Sequence, residues 1–267
     1  MSSRSLFAGL ALAVVLVSCS KVPITKRKQM NLLPESQLVS LSLTNYQDFL
    51  KQNPPVKGTA DAALVQKVGT KVADAVIKFM NQNKMGDRIK GYQWEFNLVN
   101  SPDVNAWCMP GGKVVVYAGL LPVTQDETSL AIVMGHEIAH AVARHGNERM
   151  SQMMVAQGMG MALDVALSQK PAQTRSMFLT AYGAGSTLGI LAYSRTHETE
   201  ADKLGLIFAA MAGYDPRLSV AFWERMSAKS SGNKPPEWMS THPSDATRIS
   251  NLKAFMPTAL KYYKTGS

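Results

Sequence analysis

Two histidines four residues apart, with a glutamate beside the first, are the part of the chain best suited to chemistry. The segment His136-Glu137-Ile138-Ala139-His140 has the apolar flanks of a buried helix. Residues at i and i+4 share one face of an α-helix, so both imidazoles can reach one ion at about 2.0–2.1 Å. Glu137 is one step round the helix, where it can accept a proton from an attacking water. The spacing predicts one zinc ion per chain, held by His136 and His140, with Glu137 as catalytic base.

A catalytic zinc centre needs a third protein ligand from another element. The later helical segment His197-Glu198-Thr199-Glu200-Ala201-Asp202 offers two carboxylates four residues apart on one face, Glu198 and Asp202. One of them can ligate zinc while the other accepts the free N–H of a ligating histidine and fixes its ring. The spacing alone does not decide which carboxylate has which role.

The elements that position these residues belong to an ordinary globular chain. Of 267 residues, 46% are hydrophobic and 18% are charged, which indicates one domain with appendages. The two cysteines, Cys19 and Cys108, exclude a disulfide framework, and we expect Cys108 to be a small buried apolar residue rather than a nucleophile. The net charge of +9 is scattered and accompanies no recognition motif, so we expect no nucleic-acid partner.

The hydrophobic pattern predicts a mainly α, α+β fold with a small sheet beside the central helix. Alternating side chains predict strands over 92–99 and 113–117. A capping box at Thr124-Gln125-Asp126-Glu127 predicts the start of a helix that runs to about His145. Three- and four-residue spacing predicts the other helices, at 35–50, 59–82, 148–167, 174–193, 195–212, from 215 to 227, and from near Pro243.

The N-terminus reads as a targeting segment. Arg4 precedes the apolar run Leu6–Val17, which is too short for a permanent span and typical of a signal peptide. Small residues before Cys19 resemble a bacterial lipobox, so we expect a signal peptide at 1–18, a lipidated Cys19, a linker at 19–34 and a catalytic domain at 35–267. An ordinary secretory signal is the alternative. The basic residues after Cys19 either touch anionic head groups or belong to a solvated tether.

Longer motifs occur in a fixed order along residues 105–205. They read Asn105-Ala106-Trp107-Cys108-Met109-Pro110-Gly111-Gly112, Gly119-Leu120-Leu121, Gly135-His136-Glu137-Ile138-Ala139-His140, Arg144-His145-Gly146, Tyr193-Ser194-Arg195 and Glu198-Thr199-Glu200-Ala201-Asp202-Lys203-Leu204-Gly205. This order resembles the CAAX-prenyl-endopeptidase and HtpX-type zinc metallopeptidases, which are gluzincins, and the similarity extends over about residues 60–250.

The resemblance implies a role for each site residue. Glu198 would be the third zinc ligand, and Asp202 would orient a histidine. The strand Lys113–Tyr117 would be an edge strand that pairs with an extended substrate. Substrate-binding residues implied in this way are Asn105, Ala106, Val114, Val115, Val116 and Arg248. Without clear membrane spans or a helical-repeat domain, the chain looks most like short periplasmic lipoprotein members.

His242 has two interpretations. Ser240-Thr241-His242-Pro243 is either a simple turn before a helix or, as in related periplasmic proteins, a loop that brings a fourth zinc ligand to the open position. In the second case the loop must move before the enzyme acts. Arg248, on the following helix, either contacts the site or lies at the surface.

Four further predictions concern the remaining segments. We expect His145 to be structural and to point away from the ligands, and His197 to face solvent. Ser176–Ser194 is interpreted as a buried helix, with a membrane span as the alternative. The methionines at 150, 153, 154, 159 and 161 form either a lid over a peptide groove or core filling.

The hypotheses for function come from different classes. The first is a zinc-dependent endopeptidase that acts on misfolded or misassembled proteins of the bacterial envelope, lipid-anchored at the outer membrane and facing the periplasm. Its partners would be protein and peptide substrates, the membrane and envelope assembly machinery. The alternatives are an envelope chaperone or assembly factor with a latent zinc site, and a purely structural zinc lipoprotein. Glu137 argues against the last, because a structural site needs no base.

Overall fold

The computed structural model describes residues 19–156, 171–182, 194–230, 242 and 246–264. Helices dominate these residues, and two small sheets accompany them. The predicted class, mainly α with a small sheet, is confirmed. The predicted signal peptide at 1–18 lies outside the described residues.

The N-terminal segment is a hairpin rather than a linker. Strand β1 (Cys19–Lys21) pairs antiparallel with β2 (Lys28–Met30). Val22 and Leu33 are buried in the core, and the Leu32 N–H donates to Ser151 Oγ at 2.9 Å. The prediction of a linker over 19–34 is therefore wrong. A basic, polar composition suggested a solvated chain, but long-range contacts hold the segment in place.

Two helices precede the main sheet. Helix α1 spans Glu35–Gln52 and α2 spans Ala60–Gln82. Thr59 caps α2 by accepting a hydrogen bond from the Ala62 N–H. The buried face of α2 has the spacing that predicted the helix, with Val65, Val68, Val72, Val76 and Phe79 in the core.

The second sheet has three strands, β3 (Glu95–Val99), β4 (Ala106–Met109) and β5 (Lys113–Tyr117), in the order β3-β5-β4. Strand β5 pairs parallel with β3 and antiparallel with β4, and its Val114, Val115 and Val116 are 0% exposed. The prediction that Lys113–Tyr117 is an edge strand for substrate is wrong, because both of its backbone edges are used. The sequence shows short strands, but not that β5 pairs with both β3 and β4 and so leaves β4 at an edge.

The N-cap of the central helix is Asp126, two residues after the predicted cap Thr124. A short helix α3 (Leu121–Thr124) contains Thr124, and α4 runs from Glu127 to Ala143. Asp126 is the cap, because its carboxylate accepts a hydrogen bond from the Ser129 N–H at 2.7 Å. Arg144 has φ 63° and ends the helix in the left-handed region. From Ser129 to Ala143 every side chain of α4 is buried.

The remaining helices are α5 (His145–Ala156), α6 (Pro171–Tyr182), α7 (Arg195–Met211), α8 (Leu218–Ser230) and α9 (Ala246–Ala259). Met150 and Met154 lie in a core cluster with Trp107 and Phe178, which favours core filling at these two positions. Met159, Met161 and residues 183–193 lie outside the described residues. Among the helices that the structure describes, none is long and apolar enough to cross a bilayer.

Two glycines let α4 and α7 approach closely. A Cβ atom added at Gly135 would lie 2.9 Å from the carbonyl oxygen of Gly205. A Cβ atom at Gly205 would lie 2.8 Å from the backbone nitrogen of His136. Glu198 lies two helical turns before Gly205 on α7, so the backbone contact sets the distance between the predicted ligands of the two helices.

We predict that Gly205→Ala separates α4 from α7, because the new methyl meets backbone that cannot turn aside. The free energy of unfolding should fall by about 1–3 kcal/mol, as in other overpacked cores, and zinc affinity should fall with it. Urea unfolding and chelator competition measure the two effects. Gly86→Ala is the control, since its Cβ meets only the Asn81 side chain. Wild-type stability and zinc affinity in Gly205→Ala would contradict the role given to this contact.

Candidate metal centre

Four buried side chains converge between α4 and α7. They are His136 and His140 from α4, Glu198 from α7, and His242 from the segment between α8 and α9. One ligand atom from each lies within 4.8 Å of all the others. The structure thus brings the three predicted ligands together with the candidate fourth.

The separations suit a tetrahedral ion. His136 Nε2 is 3.0 Å from His140 Nε2 and 3.2 Å from His242 Nδ1. Glu198 Oε1 is 3.0 Å from His242 Nδ1 and 3.3 Å from His140 Nε2. Four ligands at zinc distances round a tetrahedral centre stand about 3.3 Å apart. The donor set, three imidazoles and a carboxylate, is also one that zinc accepts.

The carboxylate and one imidazole have the protonation states of metal ligands. Burial opposes ionisation of Glu198, but the charge of His242 and a hydrogen bond from His136 outweigh it and hold the pKa well below its usual range. Burial lowers the pKa of His140 well below its usual value, so this ring is neutral. Both groups are therefore ready to bind a cation without losing a proton.

His136 differs from His140 in its charge partners. Burial lowers its pKa, but hydrogen bonds with Asp202 and Glu198 outweigh burial and raise the pKa to about 9. Without metal, the protonated ring of His136 offsets the negative charges of the neighbouring carboxylates Asp202 and Glu198. Metal binding at neutral pH would displace that proton, because the ligating imidazole must be neutral.

Asp202 and Arg248 lie on the outer side of His136. Asp202 Oδ1 accepts from His136 Nδ1 at 2.9 Å, the orienting contact that the sequence predicted. Arg248 Nη2 donates to the same oxygen at 2.6 Å, and its Nη1 lies 3.2 Å from Glu198 Oε2. Its guanidinium stacks 3.3 Å from the ring centre of Trp223. Arg248 is thus buried rather than at the surface, and its contacts hold the two carboxylates; substrate contact stays a prediction.

Glu137 faces the metal cluster and the edge strand. It is 3% exposed, and its Oε1 lies 3.6 Å from His242 Nε2. Burial and then the charge of Glu137 raise the pKa of the Cys108 thiol on β4 well above its ordinary value. A carboxylate between the ligands and an edge strand is placed to exchange protons with a substrate on that strand. Cys108 itself is buried and protonated, as expected.

Two of the predicted substrate residues stand at this edge. Ala106 begins β4, which packs on α4, and the Asn105 Oδ1 accepts from the Ala106 N–H at 2.8 Å. Three others, Val114, Val115 and Val116, lie on the central strand and are buried. In this sheet β4, and not β5, therefore has a backbone edge that pairs with no other strand of the part of the chain that the structure describes.

The structure contradicts the predictions for His145 and His197. His145 Nδ1 lies 2.9 Å from His140 Nδ1, so the ring does not point away. Helical spacing predicted otherwise, but α4 ends at Arg144 and the left-handed turn brings His145 back. His197 is 4% exposed instead of solvent-facing: its Nε2 contacts Glu148 at 3.0 Å, and its ring stacks on His145 at 4.5 Å.

Sequence reasoning missed the carboxylates beneath these histidines. Burial opposes ionisation of Glu200, yet hydrogen bonds from His145, Arg27 and Thr25 lower its pKa to about 2. Burial likewise opposes ionisation of Glu148, and hydrogen bonds from Arg27 and His197 lower its pKa to about 2. A signal was present in the sequence: two glutamates stand within three residues of the two unexplained histidines.

Comparisons with known proteins agree with this centre. A sequence model of peptidase family M48 matches residues 62–256. Bovine (Bos taurus) "Metalloendopeptidase OMA1, mitochondrial" is 33% identical over 253 residues, which cover 91% of this chain and 47% of that protein. "Beta-barrel assembly-enhancing protease" of Yersinia pestis is 30% identical over 164 residues, which cover 60% of this chain and 34% of that protein.

The match extends over most of the chain and includes every candidate ligand, so this chain belongs to peptidase family M48. The resemblance to zinc metallopeptidases inferred from the motifs is confirmed. The chain spans about half the length or less of these two relatives, at 47% and 34%.

The buried carboxylates of Glu148 and Glu200 predict that the free energy of unfolding depends on pH in the acid range. Both pKa values lie near 2 in the folded protein against 4.5 for the free side chain. Ionised Glu148 and Glu200 therefore stabilise the fold above pH 4.5, and this contribution is lost as pH falls towards 2. Arg27→Met should raise both folded-state pKa values and flatten the decline, while Lys28→Met, on an exposed neighbour, should not. Urea unfolding across this window measures the slopes, and parallel curves for wild type and Arg27→Met would contradict the assignment.

Proposed function

We propose that the chain is a zinc-dependent endopeptidase. The observation that supports this most directly is the convergence of His136, His140 and Glu198, with Glu137 facing the same space beside an edge strand. Two histidines and a carboxylate are a known ligand set of catalytic zinc. Membership of family M48 supports the same reaction class.

The residues divide the work of hydrolysis. When bound, zinc supplies Lewis acidity, which lowers the pKa of water and polarises the carbonyl of the scissile bond. Glu137 accepts the proton of the attacking water on its carboxylate and then delivers it to the leaving amine. Asp202 holds the Nδ1–H of His136, so that Nε2 presents its lone pair to the ion. The buried surroundings exclude bulk water from these transfers.

An extended substrate would lie along β4. This strand packs against α4 and pairs with β5 on one side, which leaves its second edge for main-chain hydrogen bonds with a peptide. Asn105 and Ala106 stand at the start of this edge. Recognition through backbone suits unfolded or misassembled protein segments, whose side chains differ but whose peptide groups are constant.

We infer that the centre is latent in this arrangement. His242 Nδ1 lies among the other three ligand atoms, and four protein ligands leave no position for water. Turnover then requires residue 242 to withdraw, which makes substrate binding or a partner the event that opens the site. The other ring nitrogen of His242, Nε2, lies 3.6 Å from the Glu137 carboxylate and so occupies the space that the attacking water would need.

We propose a cellular setting from the N-terminal motif and from the name of the bacterial relative. A signal peptide at 1–18 and a lipid on Cys19 would anchor the chain at the bacterial outer membrane, facing the periplasm. The printed name of the Yersinia pestis relative refers to β-barrel assembly. We therefore assign the protein to quality control of misfolded or misassembled envelope proteins, in contact with the envelope assembly machinery.

A second candidate function is an envelope chaperone or assembly factor whose zinc site stays closed. The fourth ligand favours it, because a permanently four-coordinate ion would be structural. The two functions differ in what Glu137 is for: only the peptidase needs a carboxylate beside the metal. Complementation of a deletion strain by a Glu137→Gln chain would indicate the chaperone.

We predict that Glu137→Gln keeps zinc and loses cleavage. The amide preserves size but cannot accept the proton of water, so hydrolysis of casein should fall by about 10²–10⁴-fold. Elemental analysis measures the zinc, and chromatography of the peptides measures the cleavage. His140→Ala is the matched control, which should lose both. Retained turnover in pure Glu137→Gln would refute the mechanism.

We predict that His242→Ala raises cleavage of casein several-fold, since removal of the fourth ligand leaves a position for water. Zinc should stay bound through the other three ligands. The double variant Glu137→Gln/His242→Ala should be inactive, which separates activation from a contaminating protease. An unchanged or lower rate in His242→Ala, with zinc still present, would show that this residue does not close the site.

A further inference from the structure

The N-terminal hairpin reaches into a buried network beneath the zinc ligands. Arg27 immediately precedes β2, and its guanidinium lies between two carboxylates from different helices. Its Nη1 and Nη2 each donate to Glu148, both at 2.7 Å. Its Nε donates to Glu200 Oε1 at 3.0 Å, and Nη2 donates to Glu200 Oε2 at 2.9 Å. The guanidinium thus fixes both carboxylates at once through charge-assisted hydrogen bonds.

The network continues from Glu200 to a metal ligand. His145 Nε2 lies 3.1 Å from Glu200 Oε2, and His145 Nδ1 lies 2.9 Å from His140 Nδ1. A carboxylate only accepts, so His145 must donate from Nε2, and its Nδ1 is then an acceptor. His140 therefore donates from Nδ1 and keeps the lone pair of Nε2, the atom that faces the other ligands.

We infer that Arg27 is a positioning residue for the zinc centre: through Glu200 and His145 it fixes the ring orientation and tautomer of His140. This inference rests on the proposed function, because it takes His140 to be a zinc ligand. The segment 19–34, which the sequence predicts to be a linker, would then support the metal site.

The two histidine ligands differ in their need for such support. Asp202 accepts the hydrogen bond of His136 Nδ1 directly. Because an ionised carboxylate can only accept, this contact fixes the tautomer of His136 without further support. His140 instead relies on another imidazole, which has one donor and one acceptor and could face it either way. Only a fixed acceptor on the far side of His145 settles the direction, and Glu200 supplies it. Thr25, on the turn of the hairpin, also donates to Glu200 at 2.6 Å.

The hairpin is held firmly enough to transmit this constraint. Val22 is 0% exposed, and Arg88 Nη2 donates to the Lys21 carbonyl at 2.6 Å. Gln29 on β2 donates to Glu148 at 3.3 Å. Arg27 is therefore attached to a segment that is anchored on both sides of it, and its guanidinium cannot follow Glu200 if that side chain moves.

Zinc affinity of the full chain, measured by competition with a chelator, tests the inference. Removal of an outer hydrogen-bond partner of a zinc ligand weakens binding by about 10–100-fold. We expect Arg27→Met to weaken zinc binding by about 10-fold and His145→Phe by at least as much, while Lys28→Met, the neighbouring exposed cation, binds as wild type. Arg27→Met/His145→Phe should show no further loss, because both act through one path. Additive losses would overturn the inference.

Two further measurements separate positioning from mere stability. The cobalt-substituted chain reports ligand geometry, so the visible absorption bands of Arg27→Met should shift and those of Lys28→Met should not. Thr25→Val removes one part-buried hydrogen bond to Glu200 and keeps the test open if Arg27→Met does not fold. It should weaken zinc binding by about twofold, with Thr44→Val as the matched surface control.

The outcomes distinguish this inference from the proposed function. If His140→Ala leaves zinc binding unchanged, the metal assignment itself fails. If His140→Ala abolishes binding while Arg27→Met and Thr25→Val retain the affinity and cobalt spectrum of wild type, only the role of the hairpin fails.

Discussion

The close contact between α4 and α7 is the constraint on which the metal centre depends. Gly135 and Gly205 bring the two backbones together where no Cβ would fit. His136 and His140 come from one helix and Glu198 from the other, so their mutual distances are set by this contact and not by flexible loops. A site built on two rigid, packed helices holds its ligands without any further ordering when a metal binds.

Burial imposes a second condition, because each polar group taken from water needs a partner. The structure meets it in two layers. The inner layer holds the ligands, and the outer layer holds Asp202 with Arg248 on one side and His145 with Glu200 on the other. Each side of the outer layer ends in an arginine between two carboxylates. Arg248 contacts Glu198 and Asp202, and Arg27 contacts Glu148 and Glu200. The same arrangement therefore neutralises both flanks of the centre.

The sequence predicted what depends on local periodicity. The spacing of His136 and His140, the four-residue step from Glu198 to Asp202 and the apolar face of α2 all follow from the geometry of one helix. It could not predict what depends on how elements meet. The order of β3, β5 and β4 arises from strand pairing, and the path of His145 depends on a left-handed residue at Arg144. The ion pairs of Arg27 join it to glutamates more than a hundred positions away.

These failures share a physical cause that bears on the chemistry. Residues whose partners are distant in sequence look like surface residues in a one-dimensional pattern. Arg27 and His197 both did so, and for Arg248 the pattern did not decide between the site and the surface. The three candidate ligands His136, His140 and Glu198 are fixed by the packing of α4 on α7, whereas His242 comes from the segment between α8 and α9. A ligand outside the packed pair can leave without breaking the α4–α7 contact. Under the proposed function, its departure would expose a coordination position while Glu137, the other ligands and their outer partners stay in place, as a switchable hydrolase requires.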